Sequence, residues 1–370
     1  MATLSLPTRG PLATRLARHV GIAVIGLVVV LVLLQILSPF RVTQFTNMGY
    51  LAIAAAGMTL LTGLSGQLSI GHGAFMAIGA YTTALLLGDG EGNLPLVVVL
   101  LVATFVSVVV GAIVGVAAAR LHGPYVAGAT LALAVAVPAV AIVFTEQLGG
   151  EQGLTLVVPP APGWLLDASF FLTGTEMDDT GYIALVAWVC LLVTFVVLAN
   201  LSRSRVGRVW RALRDDDVAA ELAGVNLSRA RIVAFVVSTA CAGLAGAVMA
   251  LSVRIAAPSG FGLSLSLLLL CVIVLGGLGS LAGALVGAGL LTFLPQVVRQ
   301  IATNAGMDGI SAAQLSPLIY GLVVMAVILM APSGLVGSIL RARHRRRGHH
   351  TTMPTTRHGA PAMANPRRSE

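Results

Sequence analysis

From Val20 to Ala331 the chain is a series of apolar runs of roughly 17 to 25 residues, the length an α-helix needs to cross hydrocarbon. In lipid every backbone N–H and C=O must find its partner within the protein, which limits a spanning chain to helices or a closed barrel. The residue-by-residue alternation of a membrane barrel is absent, so helices remain. The composition agrees, because a chain that is 57% hydrophobic and 10% charged has too little charge to cover a soluble surface. These features predict an all-α, polytopic transmembrane helical protein.

Taken in order, the runs are Val20 to Ser38, Asn47 to Thr62, Leu68 to Leu87, Leu94 to Ala119, Pro124 to Thr145, Gly181 to Leu201, Ile232 to Val253 and Leu315 to Ala331. A further apolar stretch, Ser264 to Arg299, is 36 residues long, too long for one span, and Gly276 to Gly283 (GGLGSLAG) divides it. About ten spans result. Arg9, Arg15 and Arg18 precede the first run and no small-residue cleavage site comes after it, so it reads as a retained helix behind a cytoplasmic segment, residues 1–19. The spanning domain covers 20–340. Residues 341–370, with eight Arg and four His among Thr, Pro and Gly, read as a disordered basic tail with weak attraction to anionic membrane lipid.

Charge orients this body. The segment 202–231 holds Arg203, Arg205, Arg208, Arg211, Arg214, Arg229 and Arg231, whereas 146–180 holds six acidic residues and no Arg. Basic residues accumulate on the cytoplasmic side, which places 202–231 inside, 146–180 outside, and both termini inside for an even span count. Within the arginine loop, Leu213 to Asn226 (LRDDDVAAELAGVN) is expected to form one short helix. Three aspartates suit the positive end of its dipole and Gly224 suits its close. Val218, Leu222 and Val225 share one face, and Ala219, Ala220 and Ala223 keep a neighbouring face flat enough for another protein to approach.

Gly63 to Gly73 (GLSGQLSIGHG) joins two apolar runs without a true loop. Backbone broken at membrane depth is tolerated where it is buried in protein or lines a wet cavity, so Gly66, Gln67, Ser69, Gly71 and His72 are pathway candidates; a tight cytoplasmic turn is the alternative. His72 is the one ionisable residue near the membrane interior, and a packed, hydrogen-bonded role competes there with a functional one. Small residues recur every fourth position at Ser107, Gly111, Gly115 and Ala119, and again at Ser238, Ala242, Gly246 and Ala250, the spacing at which helices pack closely. Two glycine breaks in the two halves admit an internal repeat.

Several chemistries are excluded. All 22 basic residues are Arg, so there is neither a lysine-containing phosphate loop nor a Schiff-base lysine. Cys190, Cys241 and Cys271 lie in apolar runs and read as small buried hydrophobes, not as a metal site or disulfide framework. No cofactor, metal or nucleic-acid site is expected. All 14 Asp and Glu lie in loops or the tail, so the intramembrane carboxylate that proton-coupled carriers use is missing. Energy must come from a bound sodium ion, from passive flow or from a partner, and the arginine loop favours a partner.

The motifs resemble the membrane permeases of branched-chain amino acid ABC importers, in particular the M-type subunit. The resemblance is carried by Leu61 to Leu87, Leu121 to Leu133, Ser204 to Ala250 (with RALRDD, AAELAG and AFVVSTACAGLAG in order), Ser259 to Gly289 and Tyr320 to Gly337. It implies a non-enzymatic transport subunit of the bacterial inner membrane. Its expected partners are two ATP-binding cassette subunits, a sister permease and an extracytoplasmic solute-binding protein. It also implies that the loop helix is a coupling helix, with Arg214, Asp215, Asp217, Ala219, Ala220 and Gly224 at the matched positions. The chain departs from the family at Val135 to Val140, which lacks an acidic residue, and at Gly149 to Gly153 (GGEQG). Permeases for amides such as urea, or for sugars, are the near alternatives; an ion-coupled carrier or a channel is the distant one.

Overall fold

Each apolar run contains a helix. The computed structural model describes residues 12–88, 90, 94–121, 124–173, 177–331 and 334–338. Residues 1–11 of the amino-terminal segment, most of the short acidic loop after Gly88, and the basic tail from Arg341 lie outside the described residues. The helices are α1 (Leu12–Ile36), α2 (Pro39–Met58), α3 (His72–Leu87), α4 (Leu96–Ala118), α5 (Pro124–Val143), α6 (Thr145–Leu148) and α7 (Gly163–Thr173). They continue as α8 (Asp179–Arg203), α9 (Arg205–Asp215), α10 (Asp217–Leu222), α11 (Leu227–Val253), α12 (Leu263–Gly276), α13 (Leu281–Asn304) and α14 (Gly309–Met330). Among the described residues, eight helices are long and apolar enough to cross a membrane. The sixteen-residue α3 falls short of that length, and α14 has 22 residues. Among the described residues, helix length and composition therefore give eight candidate spans, against an expectation of ten.

The core is built on α2 and α11. Pro39 starts α2 at the position where its missing N–H costs nothing, and every residue from Gly49 to Met58 is buried. Gly49, Ala52, Ala54, Ala55, Ala56 and Gly57 present almost no side chain, so α8, α11 and α13 can lie against the backbone of α2. Helix α11 packs on α2, α3 and α4, and the two small-residue stripes are what let it. A Cβ at Gly243 would meet Ser107 Oγ at 2.2 Å, one at Gly111 would meet Thr239 Oγ1 at 2.0 Å, and one at Gly246 would meet the Met76 carbonyl oxygen at 1.9 Å. The α4 stripe thus meets one side of α11, while Ser238, Ala242 and Gly246 face α2 and α3. On the outside of this core, α1 packs on α8, α5 on α3 and α14 on α13.

Two helices begin deep in the body. At sixteen residues α3 is about 24 Å long, short of the roughly 30 Å of hydrocarbon, and the fourteen residues of α12, about 21 Å, reach a spanning length only with the 3-10 turn Pro258–Gly260 ahead of them. Each is preceded by irregular chain, Gly66–Gly71 and Ala257–Gly262, and the start of α3 is tied to α12: the Gly73 N–H donates to Ser266 Oγ at 2.9 Å. The expected division of the long stretch 264–299 falls between α12 and α13, where Gly277 and Gly279 have φ of 113° and 83°.

The two charged segments sit at opposite ends of α8, whose 25 residues span about 37 Å. At one end His19 Nδ1 bonds Asn200 Oδ1 at 2.9 Å, close to the arginine loop. At the other, Leu154–Thr155 (β1) pairs antiparallel with Ile255–Ala256 (β2) in the register Leu154↔Ala256, and Arg254 pairs with Asp179 at 3.3 Å. The segment 146–180 also holds α7, on which Trp164, Phe170 and Phe171 are exposed.

Close backbone approach at Gly246 makes a direct test. Gly246→Val should cost at least the roughly 1 to 3 kcal/mol typical of overpacking, read as a lower thermal-unfolding midpoint in detergent, whereas Gly128→Val, which meets open space on α5, should leave the midpoint nearly unchanged. Equal midpoints for the two variants would contradict this packing.

Candidate functional site: a broken helix held by the arginine loop

The loop is two helices, not one. Ser204 caps α9 by accepting from the Gly207 N–H, and α9 turns Gly207, Trp210 and Leu213 inward. The fully buried Trp210 indole donates to the Ala230 carbonyl at 2.9 Å, fixing α9 on the start of α11. Asp216 breaks the expected helix over Leu213 to Asn226 because its side chain takes the competing role of a cap: it adopts φ −161° and accepts from the Ala219 N–H at 3.0 Å. Gly224 closes α10 with φ 83°, as the sequence leads one to expect, and Val225 N–H donates back to the Ala220 carbonyl at 3.0 Å.

The faces of α10 differ from the expected ones. Val218 and Leu222 are 64% and 85% exposed, with Ala219 and Ala223 exposed beside them, while Ala220 is 3% exposed and faces the body. The flat alanine face is therefore split. Ala220 packs inward because α10 is a single turn and a half tied to α9 and α11, and Val225, past the glycine, does not share the Val218 and Leu222 face.

The helix α2 does not end cleanly. It continues as a π-helix, Thr59–Leu64, whose wider turn leaves groups unpaired: the buried hydroxyls of Thr59 and Thr62 have no hydrogen-bond partner. Gly66 comes next but one with φ 74°, and from there burial alternates, with Gln67 and Ser69 inward and Gly66 and Leu68 outward. Gln67 Nε2 donates to Ser65 Oγ at 3.1 Å and to the Arg231 carbonyl at 3.3 Å. The Ile70 N–H donates to Thr130 Oγ1 at 3.0 Å. His72 Nε2 lies 2.8 Å from Ser238 Oγ, and because that hydroxyl donates to the Gly57 carbonyl at 2.8 Å, the imidazole must be the donor of the pair. Its Nδ1 is buried without a partner. Polar side chains thus satisfy the broken backbone from within the protein.

Loop and broken helix are joined directly. The Arg214 guanidinium donates to the Gly63 carbonyl inside the π-helical segment, and Gly66 lies against the Arg214 side chain, where an added Cβ would sit 3.4 Å from it. Arg231, whose carbonyl receives Gln67, pairs through its guanidinium with Asp217 at 3.2 Å. A cavity of about 310 Å³ lies between the two parts, lined by Gly66, Gln67, Arg214, Asp215, Asp217 and Arg231 among others. Gly63 also meets the other glycine break, where an added Cβ would come within 2.2 Å of the Gly279 nitrogen.

Of the expected site residues, Arg214, Asp215, Asp217, Gly66 and Gln67 thus come together, Ala219, Ala220 and Gly224 lie along α10, and Ser69, Gly71 and His72 lie deeper in the body. Sequence reasoning missed Gly63, Arg231 and Gly279 as contact points, and Thr130, Ser238 and Ser266 as partners of the broken chain. Ser238 stood in a small-residue stripe and Gly279 in a glycine run; Thr130 and Ser266 carry no local signal. No grouping of His, Cys, Asp or Glu able to hold a metal ion occurs among the described residues.

The structure is a multi-pass helical body whose broken helix is bonded directly to an arginine-rich loop. Comparison with known proteins makes the class specific. The profile of the family described as branched-chain amino acid transport system / permease component matches residues 40–331. The chain is 30% identical to the high-affinity branched-chain amino acid transport system permease protein LivM of Escherichia coli (strain K12), over 83% of this chain and 74% of that one. It is 27% identical to the corresponding protein BraD of Pseudomonas aeruginosa over 77% of this chain and 91% of the relative, and 26% identical to the ribose import permease protein RbsC of Escherichia coli (strain K12) over 83% and 90%. The chain belongs to the branched-chain amino acid transport permease family.

The Arg214 contact predicts a stability effect. Arg214→Ala strips a charge-assisted donor from a buried carbonyl and should cost about 1.5 to 3 kcal/mol, lowering the unfolding midpoint in detergent. Arg208→Ala, on an exposed guanidinium that donates to the Ser204 carbonyl at 3.4 Å, should change it by no more than about 0.5 kcal/mol. An Arg214→Ala midpoint equal to that of Arg208→Ala would contradict the clasp.

Proposed function

We propose that this chain is the membrane-spanning permease subunit of an ABC importer that carries branched-chain or other neutral amino acids across the bacterial inner membrane. Two ATP-binding cassette subunits power it, a sister permease completes the pathway, and an extracytoplasmic solute-binding protein delivers the solute. The single observation that carries this reading is the direct bonding of the arginine loop to the broken helix, through Arg214 to Gly63 and Gln67 to Arg231. A cytoplasmic ATPase that moves the loop thereby moves the inner end of α2, which is buried along most of its length. Family membership supports the transport role, and the names of the LivM and BraD relatives supply the solute class.

In this arrangement the body runs from 20 to 340 and crosses ten times, the short α3 and the 22-residue α14 adding to the eight candidate spans. An even count leaves both termini in the cytoplasm with the loop 202–231, while 146–180 faces the binding protein through α7 and its exposed aromatic side chains. The basic tail 341–370 stays on the cytoplasmic side. Val218 and Leu222 are the docking residues of the coupling helix, with Arg214, Asp215, Asp217 and Gly224 setting its position. Ser69, Gly71 and His72 brace the hinge from within.

The test is docking and uptake in the assembled complex. Val218→Asp with Leu222→Asp places two charges on an exposed face, so the permease should purify as a normal monodisperse particle. Recovery of the co-expressed ATPase with it should fall at least about tenfold, as expected when about 1.4 kcal/mol or more of contact is lost, and leucine uptake into cells should fall in parallel. Undiminished ATPase recovery and uptake would overturn the coupling role of α10. Uptake of ribose or urea in place of leucine by the wild-type complex would overturn the solute class.

A further inference from the structure

Where α1, α8 and the turn between α12 and α13 converge, a cavity of about 480 Å³ opens that plays no part in the clasp just described. Its lower wall is hydrocarbon, formed by Ile22, Ala23, Leu64, Leu192 and Phe195. Its rim is cationic, formed by Arg203 and Arg211 beside His19. The Arg203 guanidinium lies 3.1 Å from His19 Nε2, and a guanidinium can only donate, so Nε2 accepts and Nδ1–H donates to Asn200 Oδ1 at 2.9 Å. The neutral ring therefore orients Arg203 without cancelling its charge. Arg211 donates to the Ser202 carbonyl at 3.1 Å, again a neutral partner. Among the described residues the carboxylate ion pairs are Arg231 with Asp217 and Arg254 with Asp179, so neither rim arginine is compensated.

Two uncompensated guanidiniums above an apolar cleft at the end of a membrane helix match a molecule with an anionic head and a hydrocarbon tail. We propose that this cleft is a binding site for one anionic phospholipid, its phosphate between Arg203 and Arg211 and an acyl chain along the groove between α1 and α8. The groove continues for the tail: a second, almost wholly apolar cavity of about 310 Å³ lies on the same helix pair and shares Ala23, Leu192 and Val196 with the first. Its outer wall is α1, only 6% buried along its span and so the helix most open to lipid among the eight. The occupant also touches Leu64, the last residue of the π-helix, and Gly279, which packs on Gly63. A bound lipid therefore braces the foot of the broken helix. Neither the solute nor the ATPase enters into this binding.

Native mass spectrometry of the full-length chain in mild detergent tests it, with phosphatidylglycerol, phosphatidylcholine of the same acyl chains, and glycerol 3-phosphate as probes. One phosphatidylglycerol should be retained per chain, and phosphatidylcholine should not. Arg203→Gln with Arg211→Gln should weaken retention roughly 30-fold, given the attraction of each arginine for an anionic lipid surface. Ala23→Phe, which fills the groove and leaves both arginines in place, should weaken it as well, and decides the matter alone if the double variant does not fold. Equal retention by wild type and Ala23→Phe would overturn the site, as would phosphatidylcholine binding as well as phosphatidylglycerol. Glycerol 3-phosphate binding as tightly as the lipid would overturn the lipid assignment and reduce the cleft to an anion site. Loss of the lipid when the sister permease is co-purified would overturn it too, assigning the groove to protein contact instead.

Discussion

A helix that breaks inside a membrane leaves carbonyls and amides that hydrocarbon cannot satisfy, and the structure depends on how they are satisfied at Gly63 to Gly73. Arg214 reaches in from the arginine loop for the Gly63 carbonyl, Gln67 reaches back to Arg231, Thr130 receives the Ile70 N–H, and Ser266 receives that of Gly73. These partners come from α9, α11, α5 and α12. Four elements far apart in sequence are thus tied to one short stretch of chain. The broken helix is a junction before it is anything else, and its placement under the loop results from the same hydrogen bonds that make it tolerable in lipid.

The π-helical turn gives that junction its mechanical character. A π turn inserts one residue into an α-helix and can be relieved only by a shift of the chain beyond it. The chain beyond it here begins with Gly66, against Arg214, and the backbone of Gly279 lies alongside. With glycines on both sides of the contact, the packing is backbone on backbone, tight in place but with few side chains to repack if it slides. The unpaired Thr59 and Thr62 hydroxyls and the unpaired His72 Nδ1 mark the same region as one where polar groups are buried without full satisfaction. Such groups raise the energy of the observed arrangement and bring an alternative closer to it.

Much of this was legible from the residue pattern, and the reasons differ by element. The apolar runs locate the helices because lipid leaves no other option, and the two small-residue stripes mark close packing, that of α4 against α11 and that of α11 against α2 and α3, because a missing Cβ is visible in any sequence. Gly224 takes its left-handed turn for the same local reason. The loop helix is misjudged at Asp216 because three successive aspartates suit a helix start, and the pattern alone does not say which of them becomes the cap. Ala220 is misjudged because a one-and-a-half-turn helix buries whichever side its neighbours reach, and those neighbours, α9 and the start of α11, are set by tertiary packing. Thr130 and Ser266 are invisible in sequence, since any of the many hydroxyls in these spans would serve and only the fold selects two of them.

The bonds from Arg214 to Gly63 and from Gln67 to Arg231 make the arginine loop and the broken helix one rigid unit. The most direct measurement is a pair of spin-label distances in the assembled complex, from Arg208 on α9 to Leu68 and from Arg208 to Glu151, compared between nucleotide-free and ATP-bound states. Arg208, Leu68 and Glu151 are all exposed enough to carry labels without disturbing the core, and Arg208 lies off the docking face of α10. A rigid unit requires that Arg208 to Leu68 stay constant within about 1 Å while Arg208 to Glu151, across the body, changes by at least the roughly 1 to 2 Å typical of helix shifts in switching proteins. An Arg208 to Leu68 distance that changes as much as the long one would contradict it, because the loop would then be moving over the broken helix instead of with it.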